Sequence, residues 1–282
     1  MVRVAVPAVD ADIAADALWG AGAIAIEERD TPTGPLLVAG VAPGADIVRL
    51  LAAVDRRWPA EVTAVDIDAA LDAWRAFARA VRVGDRLVVR PPWVPAGPAG
   101  EAVDVLIDPG RAFGSGAHAS TRLALAALER LVCGGERVLD VGCGSGVLGI
   151  TALALGAAEV VGVDHDPAAI AASRANATRN RVGDRFTARN GPLEEVAAAD
   201  GPFDLVVANL LLPDLVALAP ALGTALAADG SLVVSGVVVD QRRSVVAAAT
   251  ESGLVPVGEE SVEGWLAISF ARRTGAVRGA GS

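Results

Sequence analysis

Short, nearly continuous apolar runs alternate with helix-like stretches across the second half of the chain. Consecutive apolar positions over four to six residues are typical of parallel strands that are covered on both faces. From residue 103 onward the pattern therefore predicts an α/β domain over residues 103–271, with seven strands and intervening helices. We place these strands at residues 137–141, 160–164, 185–189, 205–208, 231–236, 254–258 and 265–270.

The first 68 residues show a different pattern, with shorter strands and two helices. The order is βαββαβ, which predicts a small α+β domain of the ferredoxin-like kind over residues 1–68. It holds no predicted nucleophile, metal cluster or phosphate loop, so we interpret it as a binding module or as structural support. The elements are predicted at residues 2–6, 10–20, 23–28, 36–41, 45–57 and 62–67.

Two further segments complete the predicted organisation. Residues 69–102 are interpreted as a linker, with a helix over residues 69–80, a strand over 86–90 and a hinge over the Pro- and Gly-rich residues 91–100. Residues 272–282 are predicted to be a disordered tail, because the last residues are small and polar.

Composition limits the possible partners. The chain has 282 residues, a net charge of −10 and 53% hydrophobic residues, and no apolar run is long enough to predict a membrane span. An acidic chain is a poor general ligand for phosphate backbones, so we expect no direct nucleic-acid binding. The two cysteines and the absence of a predicted leader lead us to expect a cytoplasmic protein with reduced thiols, and we predict no metal site.

An acid-and-glycine turn follows the first strand of the larger domain. Asp140 precedes glycines at positions 142, 144 and 146, and a helix is predicted to begin near residue 147. Glycines at this spacing let the backbone approach a bound nucleoside. Residues 144–149 also satisfy the dinucleotide pattern G-x-G-x-x-G, but Asp140 would repel a pyrophosphate. An acid there favours an amine-bearing, positively charged cofactor such as S-adenosylmethionine, with Asp140, Gly142 and Gly144 at its site.

Polar residues end the second and fourth strands. Asp164 is expected to accept hydrogen bonds from both ribose hydroxyls, a device that dehydrogenases share. Asn209 is expected to accept hydrogen bonds from a substrate amino group, so that the nitrogen lone pair faces the methyl group. A strand-end Asn that only makes a turn is the alternative interpretation.

The loop over residues 108–121 carries three glycines, a proline and a phenylalanine before a predicted helix. We interpret it as a folded lid rather than a slack linker. Ser120 or Thr121 is expected to cap the helix and to reach the cofactor. His118 is a candidate base, although a single loop histidine is more often a hydrogen-bonding scaffold residue.

These residues together resemble the ribosomal protein methyltransferase family that acts on large-subunit ribosomal protein eleven (PrmA-like). The resemblance covers residues 17–24, 82–93, 108–121, 138–150, 156–170, 176–180 and 206–211. It implies a Rossmann-like seven-stranded class I methyltransferase domain, preceded by a small domain that recognises the substrate. It also implies contacts to S-adenosylmethionine from Thr121, Gly142, Asp164 and Asn209.

The resemblance implies the substrate as well, namely ribosomal protein eleven at its amino-terminal amine and lysine side chains. Asn209 would then be the catalytic residue that orients the amine. Two alternatives stay open at this point. One is a methyltransferase acting on amino groups of another protein or of nucleic acid, and the other is a non-catalytic ribosome-assembly factor that binds S-adenosylmethionine.

Overall fold

The computed structural model describes residues 1–32, 34–41, 47–63, 78–97, 102–109 and 114–272. The chain folds as two compact units, residues 1–75 and 76–282. Residues 69–77 of our predicted helix over residues 69–80 lie outside the described residues, as do most of the predicted strand over residues 62–67 and the tail after residue 272. Residues 78–80 are described and are not helical, so the predicted end of that helix is wrong.

The described residues of the first unit form four strands and two α-helices. Its sheet has the order β2-β3-β1-β4, and every pair of neighbours is antiparallel. Strands that follow one another through a helix are therefore separated by a third strand, which is the ferredoxin-like arrangement predicted from the pattern. The bounds are β1 Val2–Ala5, α1 Ala11–Gly20, β2 Ala23–Thr31, β3 Gly34–Val41, α2 Ile47–Ala53 and β4 Ala60–Val62.

A three-stranded sheet opens the second unit. It contains β5 (Val81–Val83), β6 (Leu87–Arg90) and β7 (Val103–Leu106). β5 is antiparallel to β6 and β6 is parallel to β7. Leu87, Val89 and Val105 are fully buried in the same core as the helices of this unit. Part of the segment that we predicted as a linker therefore belongs to the packed structure of the second unit.

The main sheet has seven strands in the order β10-β9-β8-β11-β12-β14-β13. All pairs are parallel except those of β14, which is antiparallel to both neighbours. The strands are β8 Arg137–Val141, β9 Glu159–Asp164, β10 Phe186–Asn190, β11 Phe203–Asn209, β12 Leu226–Val238, β13 Leu254–Val262 and β14 Trp265–Arg272. Arg272, which we predicted as the first residue of the tail, is the last residue of β14.

Helices cover both faces of this sheet, which explains why its strands are apolar at consecutive positions. The helices are α3 Ala119–Leu131, α4 Val147–Leu155, α5 Pro167–Arg179, α6 Leu193–Asp200, α7 Leu212–Ala225 and α8 Arg242–Glu251. Val138 packs into the core under α3, α4 and α5, whereas its neighbour Leu139 packs into the core under α6, α7 and α8. Within the described ranges, no helix is both long and apolar enough to cross a lipid bilayer.

β13 is longer than predicted because it continues to pair with β14 beyond residue 258. β13 runs on to Val262, and its last pair with β14 joins Val262 to Trp265. Glu263 and Gly264 connect the two strands, with φ angles of 54° and 80°. Two successive residues with positive φ make the tight turn that matches the twist of a hairpin.

Candidate active site

Three polar side chains lie at the carboxyl ends of adjacent strands. β8 carries Asp140, β9 ends at Asp164 and β11 ends at Asn209, and β8 lies between the other two. The chain moves from β8 through β9 to β10 and then returns to the other side of β8 at β11. Clefts of α/β sheets form at such a reversal of strand order. The predicted residues are therefore brought to one edge of the sheet.

The glycine turn after β8 is folded onto β9 by its own backbone. The N–H groups of Gly142 and Cys143 both donate to the carbonyl of Val163, over 2.8 and 3.1 Å, and Gly146 N donates to Cys143 O over 2.7 Å. Gly142, Gly144 and Gly146 have φ angles of 68°, 53° and 80°, a region that favours glycine. Because these three N–H groups already have partners inside the protein, they are not available to hold a pyrophosphate.

Asp164 is held in place by that turn. Its Oδ2 accepts a hydrogen bond from Gly144 N at 3.0 Å, and its Oδ1 accepts one from Asp166 N at 2.9 Å. The side chain is 10% exposed. Each carboxylate oxygen has a second lone pair, so the two oxygens stay able to accept a pair of hydroxyl hydrogens. The geometry thus suits the ribose role that we predicted for Asp164.

Asp140 lies deeper than we expected. Its side chain is only 1% exposed, and its Oδ2 accepts a hydrogen bond from Gly149 N, in the first turn of α4, at 2.9 Å. Its Oδ1 is buried and has no hydrogen-bond partner among the described residues. Burial, reinforced by the nearby charge of Asp164 and opposed by the Gly149 N–H, raises the pKa of Asp140 to about 7. Asp140 therefore holds the first turn of α4 through its hydrogen bond from Gly149 N.

Two carboxyl groups beside one turn create a site for positive charge. The charge of Asp164 disfavours the ionisation of Asp140, and a cation nearby would relieve that repulsion. Burial and the same two carboxylates raise the pKa of the Cys143 thiol, which keeps this thiol neutral and unreactive. The chemistry of the residues present thus fits a ligand that carries a sulfonium and an amine, and disfavours one that carries a pyrophosphate.

Asn209 and Thr121 form a pair. Asn209 Nδ2 donates a hydrogen bond to Thr121 Oγ1 over 3.2 Å, and Thr121 is 1% exposed in the first turn of α3. Our prediction that Ser120 or Thr121 caps this helix is wrong, because His118 is the capping residue and its side chain accepts the hydrogen bond from Ser120 N. Thr121 instead orients the amide of Asn209. Asn209 is half-buried at the end of β11.

His118 has a structural role in this arrangement. Its Nδ1 accepts a hydrogen bond from Ser120 N over 3.3 Å and lies 2.8 Å from Ser120 Oγ. Its ring meets the ring of Trp265 edge-on, with 4.6 Å between the centroids. The ring is thus fixed by α3 and β14, which supports the scaffold interpretation over that of a base.

Sequence reasoning missed the residues that attach the 108–121 loop to the glycine turn. Asn176 Nδ2 lies 2.9 Å from both the carbonyl of Asp108 and the carbonyl of Ser145. Ser145 Oγ in turn donates to Gly114 O over 2.6 Å. The described ends of the loop are therefore bonded to α5 and to the turn. The only signal in the sequence was an Asn in a segment predicted between two strands. Its partners lie 31 and 68 residues away in sequence and could not be inferred.

The sheet order, the acid-and-glycine turn and the two strand-end residues define a nucleoside-binding α/β enzyme of the class I methyltransferase type. The sequence profile described as "Ribosomal protein L11 methyltransferase (PrmA)" matches residues 53–273. The chain belongs to the ribosomal protein L11 methyltransferase family. The predicted family, fold class and enzyme class are thereby confirmed.

Individual relatives agree with this assignment. A ribosomal protein L11 methyltransferase of Symbiobacterium thermophilum is 43% identical over 227 residues, which are 80% of this chain and 72% of the relative. One from Thiobacillus denitrificans is 36% identical over 96% of this chain and 98% of its own length. The crystal structure of a ribosomal protein L11 methylase from Lactobacillus delbrueckii subsp. bulgaricus superposes with a TM-score of 0.64 at 31% identity, over 69% of this chain and 99% of that one.

Proposed function

We propose that this chain transfers methyl groups from S-adenosylmethionine to amino groups of ribosomal protein L11. The observation that carries the proposal is the Asn209–Thr121 pair, which places an oriented amide at the end of β11 beside the Asp140–Asp164 site. The relatives are named for methylating ribosomal protein L11, and this name supplies the substrate.

The cofactor would be held by residues that are already in place. Asp164 would accept hydrogen bonds from the ribose hydroxyls, and the turn at Gly142 and Gly144 would line the methionine end. The buried charge of Asp140 would favour the cationic groups of the ligand. When bound, S-adenosylmethionine supplies a methyl group that its positively charged sulfur has already activated. The protein therefore needs mainly to position the acceptor and to keep it unprotonated.

Asn209 would provide that positioning. With Nδ2 engaged by Thr121, Oδ1 is the atom of this amide that can accept a hydrogen bond from the substrate amine. A nitrogen whose N–H groups are held in this way directs its lone pair at the methyl carbon. The structure supports no assignment of His118 as a base, because helix α3 and Trp265 fix its ring. We propose that the amine arrives neutral or loses its proton to water.

The remaining parts of the proposal concern organisation. We propose that residues 1–68 recognise the substrate protein, because no catalytic group is predicted there and the site lies wholly in the second unit. A ribosomal protein as substrate also places the enzyme in the cytoplasm.

The test is transfer of a labelled methyl group from S-adenosylmethionine to purified ribosomal protein L11, with the modified amines and the number of methyl groups read by mass spectrometry. We expect label on L11 with the wild-type chain, and a strong loss with Asn209→Ala. Label on another protein or on RNA but not on L11 would support methyl transfer by this chain and exclude L11 as its substrate. Cofactor binding without transfer to any of them would indicate a non-catalytic factor.

A further inference from the structure

A bulge in β12 lies directly beside the strand end that carries Asn209. Val234 pairs with Ile268 and Val237 pairs with Leu266, so that two residues of β12, Ser235 and Gly236, lie opposite a single residue of β14. On its other side, β12 pairs Ser235 with Asn209. Bulges of this kind occur next to active sites, where they redirect a side chain or end a ladder.

Three neighbours hold the first bulge residue. Leu210 N donates a hydrogen bond to Ser235 O over 3.1 Å, which extends the pairing past the end of β11. Ser235 Oγ lies 3.0 Å from the carbonyl of Ser120 in α3 and 3.2 Å from the carbonyl of Leu266 in β14. Ser235 is completely buried. The bulge is therefore a fixed point that joins β11, β14 and the helix turn carrying Thr121.

The second bulge residue has no space for a side chain. Gly236 has a φ of 88°, and a β-carbon there would lie 2.4 Å from Leu210 O, 2.8 Å from Leu210 N and 2.8 Å from Asn209 Oδ1. Such distances are not tolerated, and two of the three atoms belong to the backbone. Any residue other than glycine would displace the peptide that follows Asn209 together with the Asn209 amide oxygen.

We propose that the Ser235–Gly236 bulge positions the methyl acceptor. In this view Gly236 is a positioning residue that sets where Asn209 Oδ1 and the Asn209–Leu210 peptide lie, while Thr121 sets the orientation of the amide. The proposal rests on the proposed function, in which Asn209 Oδ1 holds the substrate amine. It assigns to two residues of β12, neither of which was a predicted site residue, a role in the geometry of the transfer.

The test compares Gly236→Ala with Gly253→Ala. Gly253 has a φ of 81°, close to that of Gly236, but no other group among the described residues lies within 4 Å of a β-carbon at that position. Both substitutions strain the backbone alike, and only the first displaces Asn209. We expect Gly236→Ala to lower kcat for L11 methylation by about 10- to 100-fold, with the cofactor Kd within about threefold of the wild type. Gly253→Ala should leave both unchanged.

Two further measurements distinguish a displaced Asn209 from a loss of kcat that is caused by disruption of the fold. In the Asn209→Ala background, Gly236→Ala should lower kcat by a smaller factor than in the wild type, because the Asn209 side chain, one of the two groups that it displaces, is already gone. The side-chain amide resonance of Asn209, assigned by its loss in Asn209→Ala, should shift in Gly236→Ala and stay in place in Gly253→Ala. This spectrum needs no substrate, so it tests the geometry even when L11 is not methylated and the proposed function fails.

The proposal is overturned by an unchanged Asn209 resonance in Gly236→Ala, or by a loss of kcat that is equally large in the Asn209→Ala background. Where Gly236→Ala does not fold, Ser235→Ala replaces it, because this variant removes the ties to Ser120 and Leu266 without adding atoms. We expect a lower kcat with unchanged cofactor affinity, and a kcat equal to that of the wild type would also overturn the proposal.

Discussion

The side-chain amide of Asn209 donates a hydrogen bond to the hydroxyl oxygen of Thr121, 88 residues earlier in the chain. This contact joins the end of a central strand to the first turn of a helix at the opening of the site. It engages the amide nitrogen of Asn209 within the protein, and under the proposed function the amide oxygen accepts the hydrogen bond from the substrate amine. Predictions about catalysis and about cofactor binding can therefore be separated.

Asn209→Ala is expected to lower turnover by about 100-fold and to change cofactor affinity little, because it removes a group that orients the acceptor. Thr121→Val, which keeps the shape but removes the acceptor of the Asn209 N–H, should give a smaller loss of kcat. Thr178→Val is the matched control, since Thr178 Oγ1 donates a hydrogen bond to Arg174 O in its own helix. Steady-state kinetics and calorimetry measure the two effects. A loss of affinity with normal turnover would make Asn209 a cofactor residue only.

Asp164→Ala is expected to weaken S-adenosylmethionine binding by about 1.5–3 kcal/mol, the range for a hydrogen bond to a charged group. Asp166→Ala is the control, because Asp166 caps α5 through Ala168 N at 2.8 Å and lies outside the turn. That variant should lower thermal stability while keeping affinity. Titration calorimetry that finds equal affinity for Asp164→Ala and the wild type would exclude the ribose assignment.

Much of the second unit could be predicted from local patterns. Val138 and Leu139 are both apolar because one packs on each face of a covered sheet, and such runs reveal strands whatever their partners are. Asp140, Asp164 and Asn209 were found by their positions at strand ends, since the carboxyl ends of parallel strands meet at one edge. These inferences need no knowledge of contacts between distant residues.

Other features depend on such contacts and were not predictable. The burial of Asp140 follows from the way the glycine turn folds back on Val163, which a strand–turn–helix pattern leaves open. The bulge at Gly236 exists because β12 pairs with β11 on one side and with β14 on the other. Its trace in the sequence is only a Ser-Gly pair within an apolar run, and the same pair would suit many turns.

Asn176→Ala is expected to lower the free energy of unfolding by about 3 kcal/mol, because it removes the hydrogen bonds that the buried Asn176 side chain makes to the backbone of Asp108 and Ser145. Asn180→Ala is the comparison. Asn180 bonds similarly to the N–H and carbonyl of Leu106, but it is partly exposed and does not reach the glycine turn. Its loss should be smaller.

The two asparagine variants should also differ in cofactor affinity. Asn176→Ala frees the turn at Ser145 and should weaken S-adenosylmethionine binding, whereas Asn180→Ala should not. Urea unfolding and calorimetry on both proteins test this. Equal losses of affinity would mean that Asn176 only supports α5.

The buried carboxyl of Asp140 should make stability depend on pH. Its pKa is raised by burial to about 7 in the folded chain, compared with about 3.9 in an unfolded chain. The folded state therefore binds this proton more tightly than the unfolded state does. The resulting stabilisation is complete below about pH 4 and is lost as the pH rises to about 7, with an upper limit of about 4 kcal/mol.

Asp140→Asn cannot ionise and should lose this dependence. In urea unfolding at several values between pH 5 and pH 8, the free energy of unfolding of the variant should thus rise relative to that of the wild type as the pH increases. Asp184→Asn, at an exposed position, should give a curve parallel to that of the wild type. A parallel curve for Asp140→Asn would show that Asp140 keeps its charge in the folded protein at all these pH values.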